Sequence, residues 1–310
     1  MGRTGRKRQK AIIFMFPAAI ALLAAGLYFI ALRPAGQHNG KEASQVTRAS
    51  VAEAWGRQDA QKTLELAAAG LAANPFEPFF LSFHGIASYY ASLGKPEGND
   101  RQILLDQAVF SLRKALALGE TLSVRPQIEY VLGKAYYQKG QPWFDLALKH
   151  LETAKDKGYK ASDLDQYLGL ANIGLFRHAR AVDHFEKAIQ TNPSDVLMLL
   201  AALSYKEMGD DEKAASFLSR AITEARDAVV TQRARFLSAE IALSQGSVAG
   251  AEEHYNAILA ADPKSAEAWY GIGMVYESQG DPIKARSAWR KAIGIDPNHA
   301  EARKKLTEKL

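Results

Sequence analysis

Residues 266–299 read AEAWYGIGMVYESQGDPIKARSAWRKAIGIDPNH. Trp269, Ile272, Gly273 and Tyr276 recur at helical spacing. Gly280, Asp281 and Pro282 then break the helix. Ala285, Trp289 and Ala292 continue the apolar stripe on a second helix, which Asp296-Pro297 ends. Proline just past a helix end cannot continue the helix, and glycine permits the tight turn between two helices. Each helix is apolar along one face only, so it must bury that face against another helix.

The stretch resembles the tetratricopeptide repeat, a helix–turn–helix unit, at every diagnostic place. The resemblance continues upstream with decreasing fidelity. Residues 232–265 keep Gly246, Ala251, Tyr255 and Pro263. Residues 195–228 keep Tyr205, Gly209, Ala214 and Ala221 but lose the final proline. Residues 162–195 keep Leu168, Gly169, Ala181, Phe185, Ala188 and Pro193. Residues 126–161 keep Leu132, Gly133 and Tyr136, with extra turn residues around Pro142. Residues 78–119 keep Gly85, Ala108, Leu112 and Ala115 around a polar insertion, and residues 44–77 are the most degenerate. The implied fold is all-α, a tetratricopeptide-type helical-hairpin solenoid of about seven units over residues 45–298, with a capping helix at 299–310. Length alone suggests two domains of ~150 residues. A stack of repeated units displaces that expectation. Trp269, Tyr276, Trp289, Tyr205, Tyr255 and Phe185 then read as packing residues between units.

The N-terminus is a different kind of sequence. Residues 11–32, AIIFMFPAAIALLAAGLYFIAL, contain no charged or strongly polar side chain. As a helix they cover ~33 Å, enough for a ~30 Å hydrocarbon core. They predict a transmembrane helix between a basic tail, 1–10, and a polar linker, 33–44. A cleaved leader fits less well, because six more apolar residues and then Arg33-Pro34 follow Ala24, Ala25 and Gly26. Five basic residues precede the span and only Arg33 closely follows it, which places the N-terminus in the cytoplasm and the repeats outside. Every Asn-x-Ser/Thr acceptor is missing except Asn192-Pro193-Ser194, which its proline disqualifies. The expectation is a single-pass protein of a bacterial inner membrane with its repeats in the periplasm, contacting the lipid bilayer through residues 11–32.

Composition and charge exclude several classes. The chain has no cysteine, so disulfides, iron–sulfur clusters and cysteine nucleophiles are excluded. Residues 1–42 hold seven of the 39 basic residues and one of the 34 acidic ones, so the net charge of +5 belongs to the N-terminus. The body is nearly balanced and promises no phosphate-binding surface, so no nucleic-acid partner is expected. His178 and His184 are six apart and point in different directions on a helix, unlike a metal-binding pair. No serine elbow and no glycine-rich phosphate loop is present. Asp210-Asp211 and Glu252-Glu253 read as helix-start acids favoured by the helix dipole. No catalytic residue, metal or cofactor is expected, and the chain does not read as an enzyme.

The resemblance implies a groove lined by the first helices of successive units. By register its protein-binding residues are Phe79, Tyr89, Tyr90, Tyr130, Lys134, Tyr137, Leu170, Leu203, Phe236, Tyr270 and Met274. The list is apolar and aromatic, which is interface chemistry. It lacks the asparagines with which some members of the family clamp a C-terminal carboxylate, so an amphipathic helix or hydrophobic peptide fits better. The functional expectation is a membrane-anchored scaffold that helps assemble or position a cell-envelope complex, such as a secretion, pilus, flagellar-motor or cell-wall machine. The alternative is a periplasmic holdase or translocon-associated chaperone for emerging polypeptides. Self-association through the terminal helix is a further reading.

Overall fold

A computed structural model describes residues 46–119 and 123–308. The expected basic tail, transmembrane helix and linker lie outside the described residues. Among those described, no helix is long and apolar enough to cross a membrane. Every described element is helical, as the periodicity predicts: fifteen α-helices and one short 3-10 turn.

The chain divides into two compact units, with the boundary between Leu175 and Phe176. That boundary falls inside the expected hairpin of residues 162–195. Unit 1 contains α1 (Arg48–Gly56), α2 (Ala60–Ala73), α3 (Pro78–Leu93), α4 (Asn99–Leu118), α5 (Arg125–Lys139), α6 (Phe144–Asp156) and α7 (Leu164–Gly174). Unit 2 contains α8 (His178–Thr191), α9 (Asp195–Glu207), α10 (Asp211–Glu224), α11 (Ala228–Ser244), α12 (Val248–Ala261), α13 (Ala266–Ser278), α14 (Pro282–Ile295) and α15 (Ala300–Thr307).

Unit 2 is built by simple local rules. Ser265 caps α13 by accepting from the Ala268 N–H at 3.2 Å. Gly280 turns the chain at φ 73°, a left-handed conformation glycine adopts without steric cost. Asp281 caps α14 by accepting from the Lys284 N–H at 2.9 Å, and Pro282 occupies the first helical turn. Asp210 repeats the device for α10. The lost proline before α11 has a substitute, since Asp195 accepts from the Arg226 N–H at 3.0 Å. Glu252 and Glu253 depart from expectation. They lie in the second turn of α12, and Glu252 accepts from Gln279 at 3.1 Å.

The core of unit 2 is a stripe of small residues closed by aromatics. Ala285, Trp289, Ala292 and Ala302 are fully buried. A Cβ on Gly273 would overlap the Trp289 indole, so only glycine lets α13 and α14 approach this closely. Phe185, Tyr205 and Tyr255 are buried too, while Trp269 and Tyr276 are half-buried against the same core.

Unit 1 has a heavier core. Leu105, Leu112, Ile128, Leu132 and Leu151 are fully buried, and Trp55 is nearly so. Each such aliphatic side chain contributes about 1.5–3 kcal/mol. The glycine of α5, Gly133, serves the same close approach, with a Cβ there lying 2.7 Å from Leu151. The extra turn residues after Gly140 form the 3-10 turn Gln141–Trp143.

Candidate protein-binding surface

In unit 1 the expected wall residues are largely interior. Phe79, Tyr89, Tyr130 and Lys134 are buried, so they are not open surface, and their role as groove contacts is corrected by this placement. The reason is the packing of α3 and α5. Each lies against the second helix of its own hairpin, and the two also touch one another. Tyr90, Tyr137 and Leu170 are half-buried. The Tyr90 ring lies 5.4 Å from Trp55, and the Tyr137 ring lies 5.6 Å from Phe144 and 5.5 Å from Tyr167.

Lys134 has a specific internal task. Its ammonium donates to Asp163 Oδ2 at 2.8 Å and to the Tyr130 hydroxyl at 3.0 Å. The Tyr130 hydroxyl in turn donates to Asp163 Oδ1. The ammonium also stands over the Tyr167 and Tyr130 rings, 4.5 and 4.8 Å from their centres. Burial disfavours its charge, but Tyr167 and the Asp163 carboxylate outweigh that, and its pKa is raised. Burial pushes the Tyr89 and Tyr130 hydroxyls far above the usual tyrosine range. Asp163 sits at the N-terminus of α7, so the cluster ties α5 to α7. The lysine is already matched by two oxygen contacts, one of them a carboxylate. This arrangement fastens helices and leaves no open cation for a ligand.

In unit 2 the expected residues do reach a surface. Leu203 on α9, Phe236 on α11, and Tyr270 and Met274 on α13 are half-buried. Their helices are neighbours, α9 touching α11 and α11 touching α13. Lys206 on α9 pairs with Glu240 on α11 at 2.5 Å. Phe236 packs edge-on to Tyr255 at 6.2 Å, and Tyr270 lies 5.1 Å from the His299 ring. Arg233, Glu240 and Glu267 are exposed. The result is an apolar strip across three adjacent first helices, bordered by charge.

The sequence missed two features. Asp163, the partner of Lys134, lies 29 residues away from it, and no local pattern links them. The second feature is an exposed apolar stripe on α4, carrying Ile103, Phe110 and Leu118. Its signal was present, since Ile103 and Phe110 repeat at the same seven-residue interval as the buried Leu105 and Leu112 on the opposite face.

A family model described as tetratricopeptide repeat matches residues 199–266 and 236–300. The two matches overlap and together span residues 199–300, about a third of the chain. The chain is 27% identical over 159 residues to a Drosophila melanogaster protein named "BBSome complex member BBS4 homolog", covering 49% of this chain and only 31% of that protein's length. The C-terminal part of a repeat-containing protein from Cytophaga hutchinsonii superposes with a TM-score of 0.61 at 16% identity, covering 84% of this chain and 100% of that one. YrrB, described as "a TPR protein with an unusual peptide-binding site", superposes with a TM-score of 0.52 at 21% identity, covering 64% of this chain and 98% of that one. At such identities the likeness shows the fold, an all-helical tetratricopeptide-repeat type. Repeats of this kind are typically non-enzymatic scaffolds, and the fold supports binding of a protein partner.

Proposed function

We propose that this chain is a membrane-tethered scaffold that holds partner proteins on the first-helix face of its tetratricopeptide repeats. The observation that carries the reading is the strip of Leu203, Phe236, Tyr270 and Met274, half-exposed on adjacent helices and bordered by charged side chains. An amphipathic helix or apolar peptide is the occupant such a strip suits. YrrB's described peptide-binding site is consistent with this use of the fold. The apolar run 11–32 with its basic N-terminal flank supports a single membrane anchor, N-terminus in the cytoplasm and repeats in the periplasm. Anchoring raises the local concentration of the strip beside the membrane, so modest affinity suffices to help assemble an envelope complex.

Two experiments test the proposal. The full chain is purified from native membranes and its stoichiometric partners are identified, in parallel with Leu203→Asp. Loss of those partners, with helicity unchanged, is expected; full retention would refute the strip as the binding surface. A reporter fused after Leu310 is expected to be active outside the cytoplasm only. Activity inside would overturn the topology while leaving the binding surface untouched.

A further inference from the structure

The longest helix of unit 1 is apolar on two opposite faces. One face of α4 carries Leu105, Ala108, Leu112 and Ala115, all buried in the core. The other carries Ile103, Gln107, Phe110, Lys114 and Leu118, which at 3.6 residues per turn fall within a stripe about 80° wide. Ile103 and Leu118 are 46% exposed, and Phe110 is 65% exposed. Core packing gives no reason for this second stripe.

Phe76, in the turn before α3, extends the same patch and is 64% exposed. Lys114 joins the two rings, its ammonium 4.2 Å from the centre of Phe76 and 5.8 Å from that of Phe110. It also donates to the Pro75 carbonyl at 3.0 Å. The stripe carries one acid, Asp100, in the first turn of α4 one turn before Ile103. A second acid, Asp106, borders it and is paired with Lys139. Phenylalanine and aliphatic side chains around a long basic one are the chemistry of the bilayer interface, where the stem is buried and the ammonium reaches the headgroups.

The course of the chain favours this occupant over a protein. Arg48, near the first described residue, is fixed to Glu77 at 2.6 Å, and its guanidinium lies 5.6 Å from the centre of the Phe79 ring. The chain therefore enters unit 1 beside Phe76. Only residues 33–47 separate Arg48 from the apolar run 11–32, and they reach at most ~50 Å. A bilayer holding that run is thus within reach of the exposed stripe.

We infer that the patch of Phe76, Ile103, Phe110, Lys114 and Leu118 rests on the lipid surface in which the N-terminal run is inserted. This inference depends on the membrane-anchored reading proposed above. The contact holds unit 1 against the bilayer, and residues 33–45 serve as a short lead-in to a docked domain.

The absence of cysteine makes a direct test available. Gln107→Cys, on the stripe, and Asn256→Cys, exposed on α12, each receive a nitroxide in the full chain. The labelled chains are reconstituted into vesicles of equimolar phosphatidylcholine and phosphatidylglycerol. Accessibility to oxygen, which concentrates in lipid, is compared with accessibility to a water-borne nickel chelate. The label at position 107 is expected to give a lipid-side ratio and that at 256 a water-side ratio. Phe76→Ser combined with Phe110→Ser is expected to shift the first label to the water side while the chain still floats with the vesicles; both side chains are mostly exposed, so the fold is retained. A water-side ratio at 107 in the otherwise unaltered, floating chain overturns the patch and leaves the anchor standing. Shielding of that label from both reagents assigns the stripe to a protein, a second copy or a partner, and overturns it too. A chain that does not float refutes the anchor, and this inference with it.

Discussion

In α5 of unit 1, ten consecutive residues from Gln127 to Tyr136 are buried, while in α13 of unit 2 buried positions alternate with half-exposed Trp269, Tyr270, Met274 and Tyr276. The two helices hold equivalent places in their hairpins, yet they solve different problems. α5 buries polar side chains and pairs its two charged ones internally. Glu129 holds His150 at 2.6 Å, and Lys134 holds Asp163 at 2.8 Å. α13 buries mainly Ala, Gly, Ile and Val and leaves its larger groups part-exposed, so its polar groups need no internal partners. A buried polar group without a partner is expensive. Unit 1 has therefore committed α3 and α5 to structure, while unit 2 leaves larger side chains of α9, α11 and α13 half-exposed.

The widest separation between the units is expected from Asp163→Ala. The change leaves the Lys134 ammonium buried among rings without its carboxylate, at an expected cost of about 3 kcal/mol in urea unfolding. Adding Lys134→Met should restore most of it, because an apolar side chain needs no counter-ion there. Glu240→Ala in unit 2 removes the exposed partner of Lys206 and is expected to cost under ~1 kcal/mol. Equal effects from the two would break the contrast.

Gly273→Ala attacks unit 2 where it is tightest. The added methyl collides with the rigid Trp289 indole, and a loss of about 1–3 kcal/mol is expected by tryptophan fluorescence during denaturation. A neutral result would mean that α13 and α14 have slack, and that close glycine packing does not define this unit.

The hairpin turns sharpen the comparison further. Gly209, Gly246 and Gly280 occupy left-handed conformations between paired helices of unit 2. Phe176, which opens that unit, holds the same conformation at φ 57° and is 77% exposed. A bulky side chain there is strained by about 1–2 kcal/mol. Phe176→Asn is expected to raise stability by about 1 kcal/mol, read as a higher melting temperature. A fall instead would assign the phenyl ring a packing role.

The smallest effect concerns acid. The Lys284 backbone N–H, donating to Asp281, holds that carboxyl below its ordinary 3.8. Its contribution is fully present above 3.8 and is lost as the pH falls through the lower folded value. Asp281→Asn keeps the capping acceptor and should flatten the stability profile below pH 3.8. An unchanged profile would remove this cap from the acid response.

How far the sequence foretold these features follows the same division. In unit 2 the alternation of Ala285, Trp289 and Ala292, the Gly-Asp turn and the closing Asp-Pro are each local, so the hairpin and its core could be read directly. The strip of Leu203, Phe236, Tyr270 and Met274 came from the same register. In unit 1 that register misplaced Phe79, Tyr89, Tyr130 and Lys134. Periodicity assumes one covered face per helix, and α3 and α5 are covered on several. Hydropathy reads Lys134 as a surface residue because the carboxylate that admits it to the interior lies on another helix terminus. The outer stripe of α4 was legible as a second seven-residue interval, but a core-seeking reading has no use for an apolar face that the fold leaves uncovered.

The placement of the deepest indoles, Trp55 in one unit and Trp289 in the other, makes this protein its own thermometer at two positions. Each half carries two of the four tryptophans, 55 with 143 and 269 with 289. Emission from a Trp143→Phe, Trp269→Phe chain would come from one interior lamp per half. Red shifts at two temperatures would mean that the halves melt independently, and a single shift would mean that they melt as one.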